Sequence, residues 1–259
     1  MHLDLTLGVW KLSGEKIRKV EKGSISSPFL EYLKSDFDFL SEKRTRIPTF
    51  LGVAYEGWLL HAIFRVGADI LKLIGFERIS KVSKYFSYFC LAFFRNFERR
   101  VYGVSGDGRI LLSPADGKVI GVDEVEDKWL GKARRVKIFM SPFDYHMNRA
   151  PANMVLEDYA YRTGSFSMAF DKDADNNERL ESLWRLESGE KIKIVQIAGW
   201  LARRIDFRVE KRDRVAVGEV FGMIKFSSRV DLYAPYEFVP TVKEGMRVVA
   251  GVTTLFRKV

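Results

Sequence analysis

The sequence predicts an α+β chain in which an N-terminal helical hairpin leads into a β-rich, barrel-like domain. Three observations carry that expectation. Apolar residues recur at spacings of three and four across residues 55 to 73, and a second apolar block follows at residues 85 to 94. Beyond Val101, short runs rich in Val and Ile are separated by Gly, Asp and Pro turns. Two segments, LLSPADGKVIGV at 111–122 and VKEGMRVVAGVTTL at 242–255, both read as strand, glycine turn, strand.

Residues 1–50 are mixed and charged, with SEKRTR at 41–46, and show no sustained period; they are read as an extension without an assigned role. No basic segment and apolar core of a secretory signal follows Met1. In the first helix Tyr55, Trp58, Leu59, Ala62, Ile63, Val66, Ile70 and Leu73 share one face. Arg65, Asp69 and Lys72 lie on the other, and Gly75 is a natural stop. The second helix is expected to follow Ser80 and to include YFSYFCLAFF. Ten helical residues rise about 15 Å against a hydrocarbon core of about 30 Å, so a simple span is not expected. The ordinary use of both apolar faces is burial in the protein core. The functional use is a hairpin dipping into a membrane interface, helped by Lys81, Lys84, Arg95, Arg99 and Arg100.

The later elements read as strands: GRILLSP, GKVIGV, RRVKIFM, KIKIVQIA and VDLYAP. The paired strand–turn–strand segments faintly resemble a biotinyl/lipoyl-type barrel-sandwich, in which two similar halves interleave.

Composition narrows the partners. In 259 residues, 47% of them hydrophobic, a sizeable core is available. The single cysteine, Cys90, excludes an intrachain disulfide, and three histidines (His2, His61, His146) without close acidic spacing argue against a metal site. A net charge of +9 favours anionic partners, either a membrane surface or nucleic acid. The aromatics cluster in an apolar block and do not alternate with basic residues, which argues against nucleic acid.

The residues able to do chemistry lie in the β-rich part. SPADG sets Asp116 in a Pro-Gly turn, FMSPFDYHMNRAP places Asp144 and His146 in a second loop, and GMIKFSSRVDLYAP carries Ser227 and Ser228. A carboxylate, an imidazole and a hydroxyl can together activate an oxygen nucleophile. Each also has an ordinary role, as turn former, loop histidine or strand serine, and no G-x-S-x-G surrounds either serine.

Seven segments in order, EGW (56–58), FFRNFERR (93–100), SPADGKV (113–119), FMSPFDYHMNRAP (139–151), NNER (176–179), IAGWLARRI (197–205) and GMIKFSSRVDLYAP (222–235), resemble the phosphatidylserine decarboxylase family in its short bacterial and archaeal form. The resemblance covers residues 55 to 259. It implies a self-processing enzyme cut between Ser227 and Ser228, giving a β chain of 1–227 and an α chain of 228–259, with Ser228 converted to a pyruvoyl cofactor. It assigns His146 as general base and Asp116 as its orienting partner. It further implies that the pyruvoyl ketone takes up the serine amine of phosphatidylserine as a Schiff base, so that carbon dioxide leaves and phosphatidylethanolamine results; archaetidylserine carries the same headgroup. Arg203, Arg204 and Arg229 are the candidates for the lipid phosphate.

The same resemblance divides the chain into an extension (1–50), a membrane-associating helical segment (51–100) and a pyruvoyl-dependent decarboxylase domain (101–259). It implies peripheral attachment at the cytoplasmic face of the cell membrane and leaves homo-oligomerisation open. Two positions depart from the pattern. Longer members carry a second histidine where this chain has Arg149, and Ser227 stands where the family has glycine. The second departure leaves a rival reading, a membrane-associated lipid-binding relative that does not process. Pyruvoyl-type histidine decarboxylases nevertheless process a Ser-Ser bond.

Overall fold

A computed structural model of the protein describes residues 49–97, 99, 101, 108–164, 177–199, 205–225 and 228–259. Ser227, Arg203, Arg204, Arg100 and nearly all of the N-terminal extension lie outside the described residues. Two short strands, β1 (Thr49–Phe50) and β2 (Val53–Ala54), precede helices α1 (Tyr55–Leu73) and α2 (Glu77–Phe93). Next come β3 (Ile110–Leu112), β4 (Gly117–Asp127), β5 (Gly131–Met140), β6 (Met147–Arg149), β7 (Met154–Arg162), β8 (Arg179–Leu186), β9 (Lys191–Ala198) and β10 (Ile205–Phe207). The remaining strands are β11 (Arg214–Val215), β12 (Val220–Ile224), β13 (Ser228–Pro235), β14 (Phe238–Pro240), β15 (Arg247–Val248) and β16 (Thr254–Lys258).

The architecture is mostly β with two helices. Among the described residues, an eight-stranded sheet in the order β11-β7-β8-β9-β13-β5-β4-β15 forms a half-barrel, joined by two three-stranded sheets, β10-β12-β6 and β14-β16-β3, and the short β1-β2 pair. Every strand pair among the described residues is antiparallel. One large core fills the space between the sheets: Val119, Ile138, Met140, Ile194, Val230 and Leu232 from the large sheet meet Phe221, Ile224, Leu255 and Phe256 from the small ones. Burial of this apolar surface is the main favourable term in folding.

The two strand–glycine turn–strand segments lie against each other. β16 pairs with β3 and β15 with β4. Between the strands the turns exchange further backbone bonds, Ser113 N–H to Thr253 C=O at 2.7 Å and Gly251 N–H to Ser113 C=O at 2.8 Å. Gly117 opens β4 where a Cβ would stand 2.1 Å from the Phe139 carbonyl oxygen, an approach only glycine permits.

α1 ends as its sequence predicts. Phe76 N–H bonds to Leu71 C=O and Gly75 N–H to Lys72 C=O, the paired closure that needs a left-handed residue, and Gly75 sits at φ +88. α2 begins at Glu77, earlier than the expected start after Ser80. Ser80 is instead turned inward, its hydroxyl donating to Ala68 C=O of α1 at 2.7 Å, and Ser83 does the same to Phe64 C=O. Burial of both apolar faces in the core does not occur. The buried residues are small ones or lie near the end of α2 (Gly57, Ala68, Ser80, Ser87, Cys90, Phe93), whereas Leu59, Ile63, Val66, Ile70, Leu73, Ile79, Val82 and Tyr85 are each more than half exposed. Among the described residues no helix is long and apolar enough to cross a membrane.

Candidate active site

The site forms where the small β10-β12-β6 sheet hands the chain to the large one. β12 ends at Ile224 and β13 starts at Ser228, so a three-residue link joins the middle strand of the small sheet to the strand between β9 and β5 in the large one. His146 lies beside the start of that link: Ile224 N–H reaches the His146 carbonyl at 3.3 Å.

The loop before His146 is held by Asp144, whose carboxylate accepts from Ser141 N–H (2.9 Å), from the Ser141 hydroxyl (2.7 Å) and from Arg247. Its carbonyl stands 2.9 Å from His146 Nδ1. A carbonyl can only accept, so Nδ1 carries the proton and Nε2 presents a bare lone pair. That Nε2 is fully buried and unpartnered among the described residues. The ring packs on Phe93 of α2 at 4.1 Å between centroids. Burial drives its pKa down to about 4, with the positive charge of Arg95 pushing the same way, against the opposing bond to Asp144 and the charges of Asp144 and Asp116. His146 is therefore an uncharged base at neutral pH.

Asp116 is buried in the turn between β3 and β4. Arg99 grips both carboxylate oxygens, at 2.5 and 2.7 Å, and Ala250 N–H donates at 2.8 Å. Its field reaches His146, but the group that orients the imidazole by a hydrogen bond is the Asp144 carbonyl. Ser228 is fully buried between Met140 and Ala198, and its hydroxyl rests on the Met140 sulfur at 3.5 Å. Asp116, His146 and Ser228 are each held by a different partner, and among the described residues no hydrogen bond joins them.

Arg229 points to the opposite face of β13 from Ser228, is 3% exposed, and bonds both oxygens of Asp231 at 2.9 Å. Arg149 is structural: its guanidinium reaches Gly218 C=O, Phe97 C=O and the Asn96 side chain, tying the exit of α2 to the β-rich part. Several contacts at the site carry no local sequence signal. Arg99 and Asp116 meet across 17 residues and Gln196 meets Asn148 across 48, contacts that only the fold creates.

Fold and site together define a class: a mostly β protein with a buried, uncharged histidine set beside the link into an internal serine. A family model described as "Phosphatidylserine decarboxylase" matches residues 86–255. A "Phosphatidylserine decarboxylase proenzyme" of Nitratidesulfovibrio vulgaris is 43% identical over 188 residues, 72% of this chain and 85% of that protein. Proteins of the same name from Trichlorobacter lovleyi (38% over 192 residues, 74% and 86%) and Solidesulfovibrio magneticus (34% over 209 residues, 80% and 96%) are also similar. The chain belongs to the phosphatidylserine decarboxylase family.

Proposed function

We propose that this protein is a phosphatidylserine decarboxylase that makes its own cofactor by cleavage between Ser227 and Ser228. The single observation that carries this reading is the bare, buried Nε2 of His146 beside the link that ends at the buried Ser228. In the first step Ser228 Oγ bonds to the carbonyl carbon of residue 227 while its proton passes to His146 Nε2. The C–N bond then breaks, the Ser228 nitrogen takes that proton back, and an ester remains. Loss of the Ser228 α-proton expels the residue 227 carboxylate, which keeps the former Oγ, and water replaces the nitrogen as ammonia to leave the pyruvoyl group.

The residues present fit that group. Position 228 is closed off from solvent, flanked by Met140 and Ala198, at the far end of a link that starts beside an uncharged imidazole. The group supplies a ketone that withdraws electrons as the headgroup carboxylate is lost as carbon dioxide. His146 takes and returns protons at Nε2, held in one tautomer by the Asp144 carbonyl. Asp116 acts on it through space while bound to Arg99. The lipid phosphate falls to Arg203 and Arg204, because Arg229 is engaged with Asp231.

α1 and α2 serve as a helical hairpin that seats the protein peripherally on an anionic bilayer. Their exposed apolar residues continue into Phe143 of the site loop, 77% exposed with its ring 6.2 Å from Phe89, so the hairpin and the site loop face the lipid together. Lys81 and Lys84 flank the apolar surface with positive charge. Intact mass of the purified protein tests the reading: two chains are expected, the smaller blocked at its N-terminus. A single uncleaved species of 29.9 kDa would overturn it.

A further inference from the structure

Arg95, Arg99 and Arg247 all touch the loop of residues 141–146 that carries His146, and two of them are already neutralised. Arg99 holds both oxygens of Asp116, and Arg247 is paired with Asp144. Arg95, at the exit of α2, is different. Its guanidinium donates to the carbonyls of Ala92, in the last turn of α2, and of Phe143, in the site loop, and stacks on the Tyr145 ring 4.2 Å from the centroid. Those partners are neutral, and among the described residues no carboxylate pairs with it. Its charge is felt instead at His146, which it pushes away from protonation.

The place of this charge matters. Exposure falls along the loop from Phe143, 77% exposed, through half-buried Tyr145 to fully buried His146. Phe143 continues the apolar surface of the hairpin through its contact with Phe89. From that surface inward the order is therefore apolar ring, guanidinium, imidazole. A phosphatidylserine molecule has the same order: acyl chains, phosphodiester, serine headgroup. Two bonds and a ring contact fix the plane of the guanidinium and leave its remaining N–H groups for a ligand. That fork matches the two non-bridging oxygens of a phosphodiester, and a partly buried charge is screened little by salt.

We propose that Arg95 receives the phosphodiester of the lipid substrate, with the acyl chains over Phe143 and the serine headgroup directed inward to His146. The inference rests on the decarboxylase reading above and deepens it. The contact is additional to those of Arg203 and Arg204, since two phosphate oxygens accept more N–H bonds than one guanidinium supplies. The phosphodiester rather than the serine carboxylate is the partner, because a cation held on the carboxylate would stabilise the group that must leave as carbon dioxide. The ordinary alternative is that Arg95 only closes the end of α2 and ties the loop to it. Neutral carbonyls would be satisfied by an uncharged amide, whereas a phosphodiester needs the charge.

The test uses the full chain, its cleavage first scored by intact mass, and follows decarboxylation of phosphatidylserine diluted in uncharged detergent micelles. Arg95→Gln keeps a donor for the carbonyls and removes the charge. It is expected to cleave as the parent does and to raise KM about tenfold to a hundredfold, the usual effect of losing one charged hydrogen bond, with kcat within about twofold. Arg95→Lys, which keeps the charge and loses the fork, should still raise KM about threefold or more. Phosphatidylglycerol carries the same phosphodiester without the reacting amine, so in these micelles it should compete in the parent and about tenfold more weakly in Arg95→Gln. A merely structural role would lower Tm and kcat and leave that inhibition unmoved. A parent-like KM in Arg95→Gln, or a rise in KM seen on anionic vesicles and absent in neutral micelles, overturns the inference; the second result would assign Arg95 to general attraction to the bilayer. Where Arg95→Gln does not fold, a parent-like KM in Arg95→Lys overturns it. A parent that stays whole, or that cleaves and leaves phosphatidylserine intact, overturns the decarboxylase reading and the inference with it.

Discussion

The two faces of β13 bury polar groups in opposite ways. On the outer face Arg229 and Asp231 are nearly inaccessible and close on each other through two bonds, with Arg135 reaching Asp231 at 3.9 Å and Tyr233 through a hydrogen bond of 3.1 Å. On the inner face Ser228, opposite Met140 and Ala198, is equally buried, yet its hydroxyl rests on the Met140 sulfur, and among the described residues Gln196 Oε1 on the same face has no partner. The outer pair closes its valences on itself, whereas the inner hydroxyl has only a weak partner. One strand keeps the two apart by the alternation of its side chains.

Changes on the inner face should alter the reaction more than the fold. Ser228→Ala is expected to abolish cleavage altogether, leaving a single chain by mass. Because the lost hydroxyl has only a weak partner, its stability should stay within about 1 kcal/mol of the parent by denaturant unfolding. A large loss of stability would mean that the hydroxyl is held more firmly than its sulfur contact implies.

The outer face predicts the reverse. Asp231→Ala leaves buried arginine charge without its carboxylate and should cost about 3–5 kcal/mol, read as a lowered denaturation midpoint. At a temperature where the variant stays folded, cleavage should proceed. Loss of cleavage in a folded variant would show that the two faces are not independent.

His146 gives a smaller, pH-dependent contrast. Its folded pKa of about 4 lies below the ordinary value of 6.5, so the unfolded chain binds the proton first. Stability from this group is full above about pH 6.5 and is lost as pH falls toward 4, a loss of about 3 kcal/mol. His146→Gln should remove that part of the acid sensitivity, measurable by unfolding at about pH 7.5 and about pH 4.5. In the parent, cleavage should not lose its base near pH 6.5, because the imidazole remains uncharged there. A fall in rate centred at 6.5 would place the imidazole in a wetter setting.

Gly222→Ala should cost the fold about 1–3 kcal/mol as the Asp206 carbonyl or the Gln196 amide gives way. Denaturant unfolding reads that loss, and an unchanged midpoint would show that the small sheet makes room for the methyl at no cost.

Much of the fold was legible because its signals are local. The 3.6-residue period located α1 to the residue, Gly75 marked its end, and the repeated strand–turn–strand segments announced strands that do lie together. The start of α2 was missed because Ser80 looks like a cap in one dimension and is an interhelix bond in three. For the site, the loop motifs pointed to Asp116, His146 and Ser228, but their partners were hidden. The family resemblance implied Asp116 as the imidazole's partner, whereas its carboxylate goes to Arg99 and the Asp144 carbonyl makes the bond to the imidazole.

The sequence by itself determined the element types, the loop residues with reactive groups and the family, since period, turn chemistry and ordered motifs are properties of neighbours along the chain. Only the tertiary structure decided which way each reactive group faces. It buried His146 until it lost its charge, set Ser228 inward and Arg229 outward, aimed Asn148 with a glutamine 48 residues away, and left the apolar side of the helices uncovered. Burial and hydrogen-bond partnership depend on what packs against a residue, and residue order alone does not state that.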